Sequence, residues 1–190
     1  MKEQILELLN KAYTTCLEAK KENKEELKKI NDNYNGETRL NKILEVNQEL
    51  DEIIIETKNN TENSINKLMD QLKNRIEEAC TKTPGDDFFK DLTILKELES
   101  SLTDDTKQVY FNKYKDNARA TSILKKTLYK DESFYEPLKD YELIKGEIED
   151  LLIACVNGNS DLSIALSLNP KTSRISARLT NIEKFLETYK

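Results

Sequence analysis

Histidine and tryptophan are absent from this chain of 190 residues, which holds only four glycines and three prolines. Each absence excludes a chemistry. Without His there is no Cys–His or Ser–His nucleophile, and no Glu-x-x-His element of the kind that completes a dinuclear carboxylate bundle. So few glycines leave no Gly-rich loop to cradle a phosphate. The nearest Gly–Lys approach, Lys145-Gly146, lies inside a helical stretch. Without Trp, an aromatic-lined sugar cleft lacks its usual wall, which argues against glycoside hydrolysis despite abundant carboxylates. Long apolar runs are missing too, and none approaches the ~20 residues of a membrane span. The opening MKEQILELL mixes charges into its apolar pattern and has no signal-peptide core. An intracellular, cytoplasmic protein is expected.

Cysteine is scarce and scattered. Cys16, Cys80 and Cys155 are odd in number and far apart, each at an apolar helical position. Free thiols in a reducing compartment are expected, because a zinc site needs clustered Cys or His. Asn31-Asp32-Asn33-Tyr34-Asn35-Gly36 has the alternating oxygens and sixth-position Gly of a calcium loop. Its first ligand would be Asn31 rather than Asp, and Lys42 stands where the bidentate Glu is needed. An ordinary helix–helix turn explains it better. No catalytic residue, metal or cofactor is expected.

What is present is charge and helical periodicity. Thirty Lys and Arg face 36 Asp and Glu, a net charge of −6; 35% of residues are charged and 37% apolar. Ordinary domains are about 25% charged and about 45–50% apolar. The core is therefore expected to be thin and elongated. An acidic chain needs a local basic face to bind nucleic acid. The richness in Lys and Asn fits AT-rich bacterial, phage or mobile-element genomes.

Residues 1–34 read as one helix. Ile5, Leu9, Ala12, Cys16 and Ala19 follow steps of four and three, a heptad-like seam. Leu6, Leu8, Tyr13 and Leu17 widen that stripe into a candidate protein-interaction surface. Asn35-Gly36 stops the helix, since Gly supplies a left-handed conformation and Asn tolerates it. A second long helix is expected from about 38 to 81. Its apolar side carries Leu40, Ile43, Leu44, Leu50, Ile53, Ile54, Ile65, Leu68, Leu72, Ile76 and Ala79.

Such a short connection makes the two helices antiparallel neighbours. Facing residues then have numbers adding to roughly 70, which sets Ile5 opposite Ile65, Leu27 opposite Leu44 and Asn23 opposite Asn47. The asparagine pair either fixes register from a buried position or faces solvent. Residues 56–64, ETKNNTENS, are polar where they should face the wide stripe. Either the helix bends near Asn59-Asn60, or another element covers the first helix there.

Thr83-Pro84-Gly85 marks the next boundary. Shorter helices are expected over 87–102, after a Thr103 cap, from Pro137 to Asn157, over 161–168, and from about Ser173. The segment after Thr103 either continues past Asp116-Asn117 or breaks there. The fold class is all-α: a long antiparallel, coiled-coil-like helical hairpin over 1–83, followed by a compact bundle of four to six shorter helices over 84–190.

The main charge feature lies in the second half. Lys107, Lys113, Lys115, Arg119, Lys125, Lys126 and Lys130 alternate with Tyr110, Phe111, Tyr114 and Tyr129. Basic residues among aromatics can track a phosphate backbone and stack bases. The acidic run that follows, from Asp131 to Asp150, offers neutralisation within the fold instead. The expected function is non-enzymatic: protein–protein interaction or self-assembly in a structural, adaptor or inhibitor role. The alternative is a nucleic-acid-binding accessory or regulatory protein using 107–130.

Overall fold

The computed structural model describes residues 1–98, 101–130, 135–157 and 170–189. The fold is all-α. Two long helices, α1 (Lys2–Asn33) and α2 (Gly36–Thr81), are followed among the described residues by five shorter ones. These are α3 (Asp86–Glu97), α4 (Asp104–Tyr114), α5 (Ala118–Tyr129), α6 (Pro137–Asn157) and α7 (Pro170–Thr188). The expected short helix over 161–168 lies outside the described residues.

Local signals set these boundaries. Gly36 adopts φ +61°, the left-handed conformation that reverses the chain between α1 and α2. The Thr103 hydroxyl accepts from the Thr106 N–H and caps α4. The Asn117 side chain accepts from the Ala120 N–H, so the chain breaks there and α5 starts afresh. Its amide also donates to the Lys82 carbonyl at 3.2 Å, tying the start of α5 to the end of α2. Pro137 opens α6 and Pro170 opens α7, each where its missing N–H costs nothing.

Contact density divides the chain into two compact units. Unit 1 joins Met1–Met69 to Leu143–Ala177; unit 2 joins Asp70–Glu142 to Arg178–Lys190. Independent folding of 84–190, as the sequence suggests, is a separate question that the far-UV spectrum of that fragment answers.

In unit 1 the expected seam of α1 is buried throughout: Ile5, Leu9, Ala12, Cys16 and Ala19 are all in the core. From α2 come Ile54, Thr61, Ile65 and Met69. The polar stretch 56–64 does not interrupt α2, which is continuous from Gly36 to Thr81. Thr61 fills the seam position with a small side chain, and one groove is lined by Leu8, Lys11, Ala12 and Thr15 of α1 with Thr57, Asn60, Thr61 and Ser64 of α2. A second groove, lined by Ala19, Glu22, Asn23 and Glu26 with Val46, Glu49, Leu50 and Ile53, continues the same antiparallel register toward the turn.

Asn23 and Asn47 do meet. The Asn23 amide donates to the Val46 carbonyl at 3.0 Å and to Asn47 Oδ1 at 3.4 Å. Asn47 is exposed and Asn23 half-buried, so the pair sits at the rim of the seam. Leu44 is 60% exposed, so the expected Leu27–Leu44 pair forms no buried layer. Replacing both asparagines by Leu is therefore expected to leave stability within about 0.5 kcal/mol of the parent in urea unfolding. A larger gain would mean that the pair is buried.

In unit 2, α5 packs on α3 and α4 around Phe88, Leu95, Ala120, Leu124 and Leu128, with Leu92, Tyr110, Phe111 and Tyr114 against that cluster. The Phe88 ring meets Tyr114 edge-on at 5.0 Å. Leu72, Ile76 and Ala79 of α2, with Leu179, Ile182 and Phe185 of α7, are also buried in this unit.

Candidate functional site

The stripe of Leu6, Leu8, Tyr13 and Leu17 is divided by the fold. Tyr13 is buried, Leu6 and Leu8 are half-buried, and Leu17 remains 51% exposed. Leu8 belongs to the groove shared with α2. On the other flank, the Lys20 ammonium donates to the Cys155 carbonyl in the last turn of α6 at 2.9 Å, a favourable place for a cation at a helix C-terminus. Most of this stripe is thus covered by the chain's own side chains, and Leu17 alone keeps a wide apolar surface.

A second apolar surface lies on α2. Leu40, Leu44 and Ile55 are 57%, 60% and 52% exposed. At 100° per residue they fall with Asp51 on the side of α2 opposite Val46, Glu49 and Ile53, which line the α1–α2 groove. In the sequence these residues merge with the apolar side of α2. The separating signal is angular: Leu44 and Ile55 stand off the line through the buried Ile54, Thr61 and Ile65.

The basic–aromatic segment is largely engaged within unit 2. Lys107 donates to Asp104 at 3.0 Å and lies 5.3 Å from the Tyr129 ring centre. Lys113 donates to Asp91 Oδ2 at 2.6 Å, and the Tyr114 hydroxyl donates to the same oxygen at 2.6 Å. Tyr110, Phe111 and Tyr114 pack against the Phe88 cluster, which leaves Tyr129 as the exposed aromatic ring of the segment. Lys115, Arg119, Lys126 and Lys130 are exposed and Lys125 is half-buried. Members of the acidic run pair with α7: Asp140 with Arg178 in unit 2, and Glu147 with Arg174 and Asp150 with Lys171 in unit 1.

Two hydrogen bonds, first from Lys113 and then from Tyr114, hold the Asp91 carboxyl below its ordinary value of 3.8. A carboxyl whose folded pKa is depressed adds stability above its unfolded pKa and loses it as pH falls through the folded one. Stability is therefore expected to decline below about pH 4 partly through Asp91. In Asp91→Asn that part of the pH dependence disappears from thermal melts at pH 2–6, while the rest of the profile is kept. An unchanged profile would contradict the assignment.

Burial raises all three thiols, and Cys155 is pushed up to about 11 by burial and the nearby Cys16. Thiols held protonated at neutral pH are poor nucleophiles. Among the described residues no three of Cys, Asp and Glu are grouped to hold a metal. No helix among the described residues is long and apolar enough to cross a membrane. No family model, no curated protein and no solved structure matches this chain.

Proposed function

We propose that this chain is a non-enzymatic helical protein that acts by binding protein, as a structural, adaptor or inhibitory component. The observation that carries the reading is the apolar flank of α2, where Leu40, Leu44 and Ile55 stay more than half exposed on a helix whose other side is packed. Leu40 and Leu44 stand at i and i+4, and Ile55 follows three turns on, beyond Asp51, so the flank offers aliphatic anchors of the kind a partner helix engages.

A photoreactive benzophenone amino acid at Leu44 or Ile55, in cells of the native host, tests this. Adducts of protein mass are expected from both positions and not from Glu149, an exposed polar position on α6. Absence of adducts at both positions would overturn the reading. The nucleic-acid alternative rests on the exposed Lys115, Arg119 and Lys130. It requires DNA or RNA binding that weakens steeply with salt and is lost on changing Lys125 and Lys126 to Glu.

A further inference from the structure

We propose that the partner on this flank is a second copy of the same chain, with α1 of each copy lying against α2 of the other. The inference rests on the protein-binding reading above and assigns its partner. Two exposed strips carry it. On α1, Leu17, Lys21, Lys24 and Lys28 recur at helical spacing and are exposed. The three lysines line a cleft with Glu25, the half-buried Leu27 and Asn31. On α2, Leu40, Leu44, Asp51 and Ile55 form the other strip, with Glu45 and Glu52 exposed beside it.

The charges of the two strips are opposite. Every ionisable side chain of α2 from Glu45 to Glu56 is acidic: Glu45, Glu49, Asp51, Glu52 and Glu56. On α1 the cations are the row Lys21, Lys24 and Lys28, with Glu25 at its edge, while Glu18, Glu22 and Glu26 stand on other sides of the helix. Among the described residues, Lys21, Lys24, Lys28, Glu45, Asp51 and Glu52 form no ion pair within their own chain. A row of lysines headed by Leu17 on one helix and an aliphatic strip with carboxylates in and beside it on the other are complementary, and a two-fold axis places each basic strip on the partner's acidic one. The net charge of −6 opposes association, yet at physiological salt such repulsion is screened beyond about 8 Å, while contacts across the strips are closer.

The test uses two full-length variants whose altered residues are all exposed. The first carries Lys21→Glu, Lys24→Glu and Lys28→Glu; the second carries Glu45→Lys, Asp51→Lys and Glu52→Lys. Sedimentation equilibrium is run on each alone and on their mixture, with circular dichroism to verify helix content. The parent is expected at twice the monomer mass of 22.1 kDa at high concentration, dissociating as salt rises. Each variant alone is expected to weaken the dimer by on the order of tenfold or more, because like charges then face each other. Mixing them is expected to restore it as a heterodimer. Mixing cannot repair a folding defect within one chain, so restoration identifies the contact as intermolecular.

A parent of 22.1 kDa at every concentration and salt overturns the inference, as does dimerisation unchanged in both variants or unrestored by mixing. Should Ile55→Lys also fail to weaken a dimer, the apolar part of the contact is wrong. Adducts from Leu44 to a different protein, with a monomeric parent, would sink self-association and keep the protein-binding reading.

Discussion

Replacing Phe88 by Ala is expected to cost about 3–5 kcal/mol, the range for truncating an aromatic side chain in a closed core. Phe88 is fully buried at the centre of the α3–α4–α5 cluster. Its ring meets Tyr114 edge-on at 5.0 Å and Phe89 edge-on at 5.4 Å. Removing it strips the packing from Leu124 and Leu95 and unseats Tyr114, whose hydroxyl is bonded to Asp91. In a chain of this size, about 2–4 °C of melting temperature accompanies each kcal/mol, so a fall on the order of 10 °C is expected. Phe89→Ala is the control. That ring is 47% exposed, and the expected loss is below about 1 kcal/mol. Equal losses from the two substitutions would mean that α3 is rotated from its described orientation.

The second large effect is expected at Ile65, in the α1–α2 seam. Ile65 and Ile5 are both fully buried in unit 1, at matched depth from the turn. Ile65→Ala is expected to cost about 2–5 kcal/mol, the upper part of that range applying because helices held at both ends collapse poorly into a cavity. Ile55→Ala, two to three turns away on the same helix but 52% exposed, is expected to fall within about 0.5 kcal/mol of the parent. The contrast separates the two faces of α2 in urea unfolding. Comparable effects at both sites would place Ile55 in a core, which would remove the apolar flank from the functional argument.

Helix positions and the reversal at Gly36 were readable because they depend on nearby residues. Alternating steps from Ile5 to Ala19 marked the buried face of α1, and Thr103 and Pro137 marked helix starts by caps that act within one turn. The continuity of α2 through 56–64 was not readable. A polar run looks like a break until a small residue such as Thr61 is seen occupying a seam position. Coverage was legible only in part. Periodicity marks Tyr13, Leu17 and Leu44 alike as apolar, but only tertiary packing determines that Tyr13 is buried while Leu17 and Leu44 are not. The charge pairing was half legible. The sequence shows two oppositely charged runs, whereas Asp91 and Asp104 reach Lys113 and Lys107, and α7 reaches Asp140, Glu147 and Asp150.

The central claim is that α1 and α2 pair along their length and leave one flank of α2 open. Electron–electron double resonance between nitroxides at Lys11 and Asn60, attached through azido amino acids so that the native thiols stay untouched, tests the pairing most directly. Both residues line the same groove. With the labelled chain diluted in unlabelled protein, helices packed at about 8–10 Å between axes place the labels roughly 15–30 Å apart once tethers are included, in a single narrow distribution. A distribution centred beyond about 50 Å would describe two rods opened about Gly36, since a continuous helix over that span would separate the positions by about 70 Å. That result would contradict the paired hairpin and the interaction surface built on it.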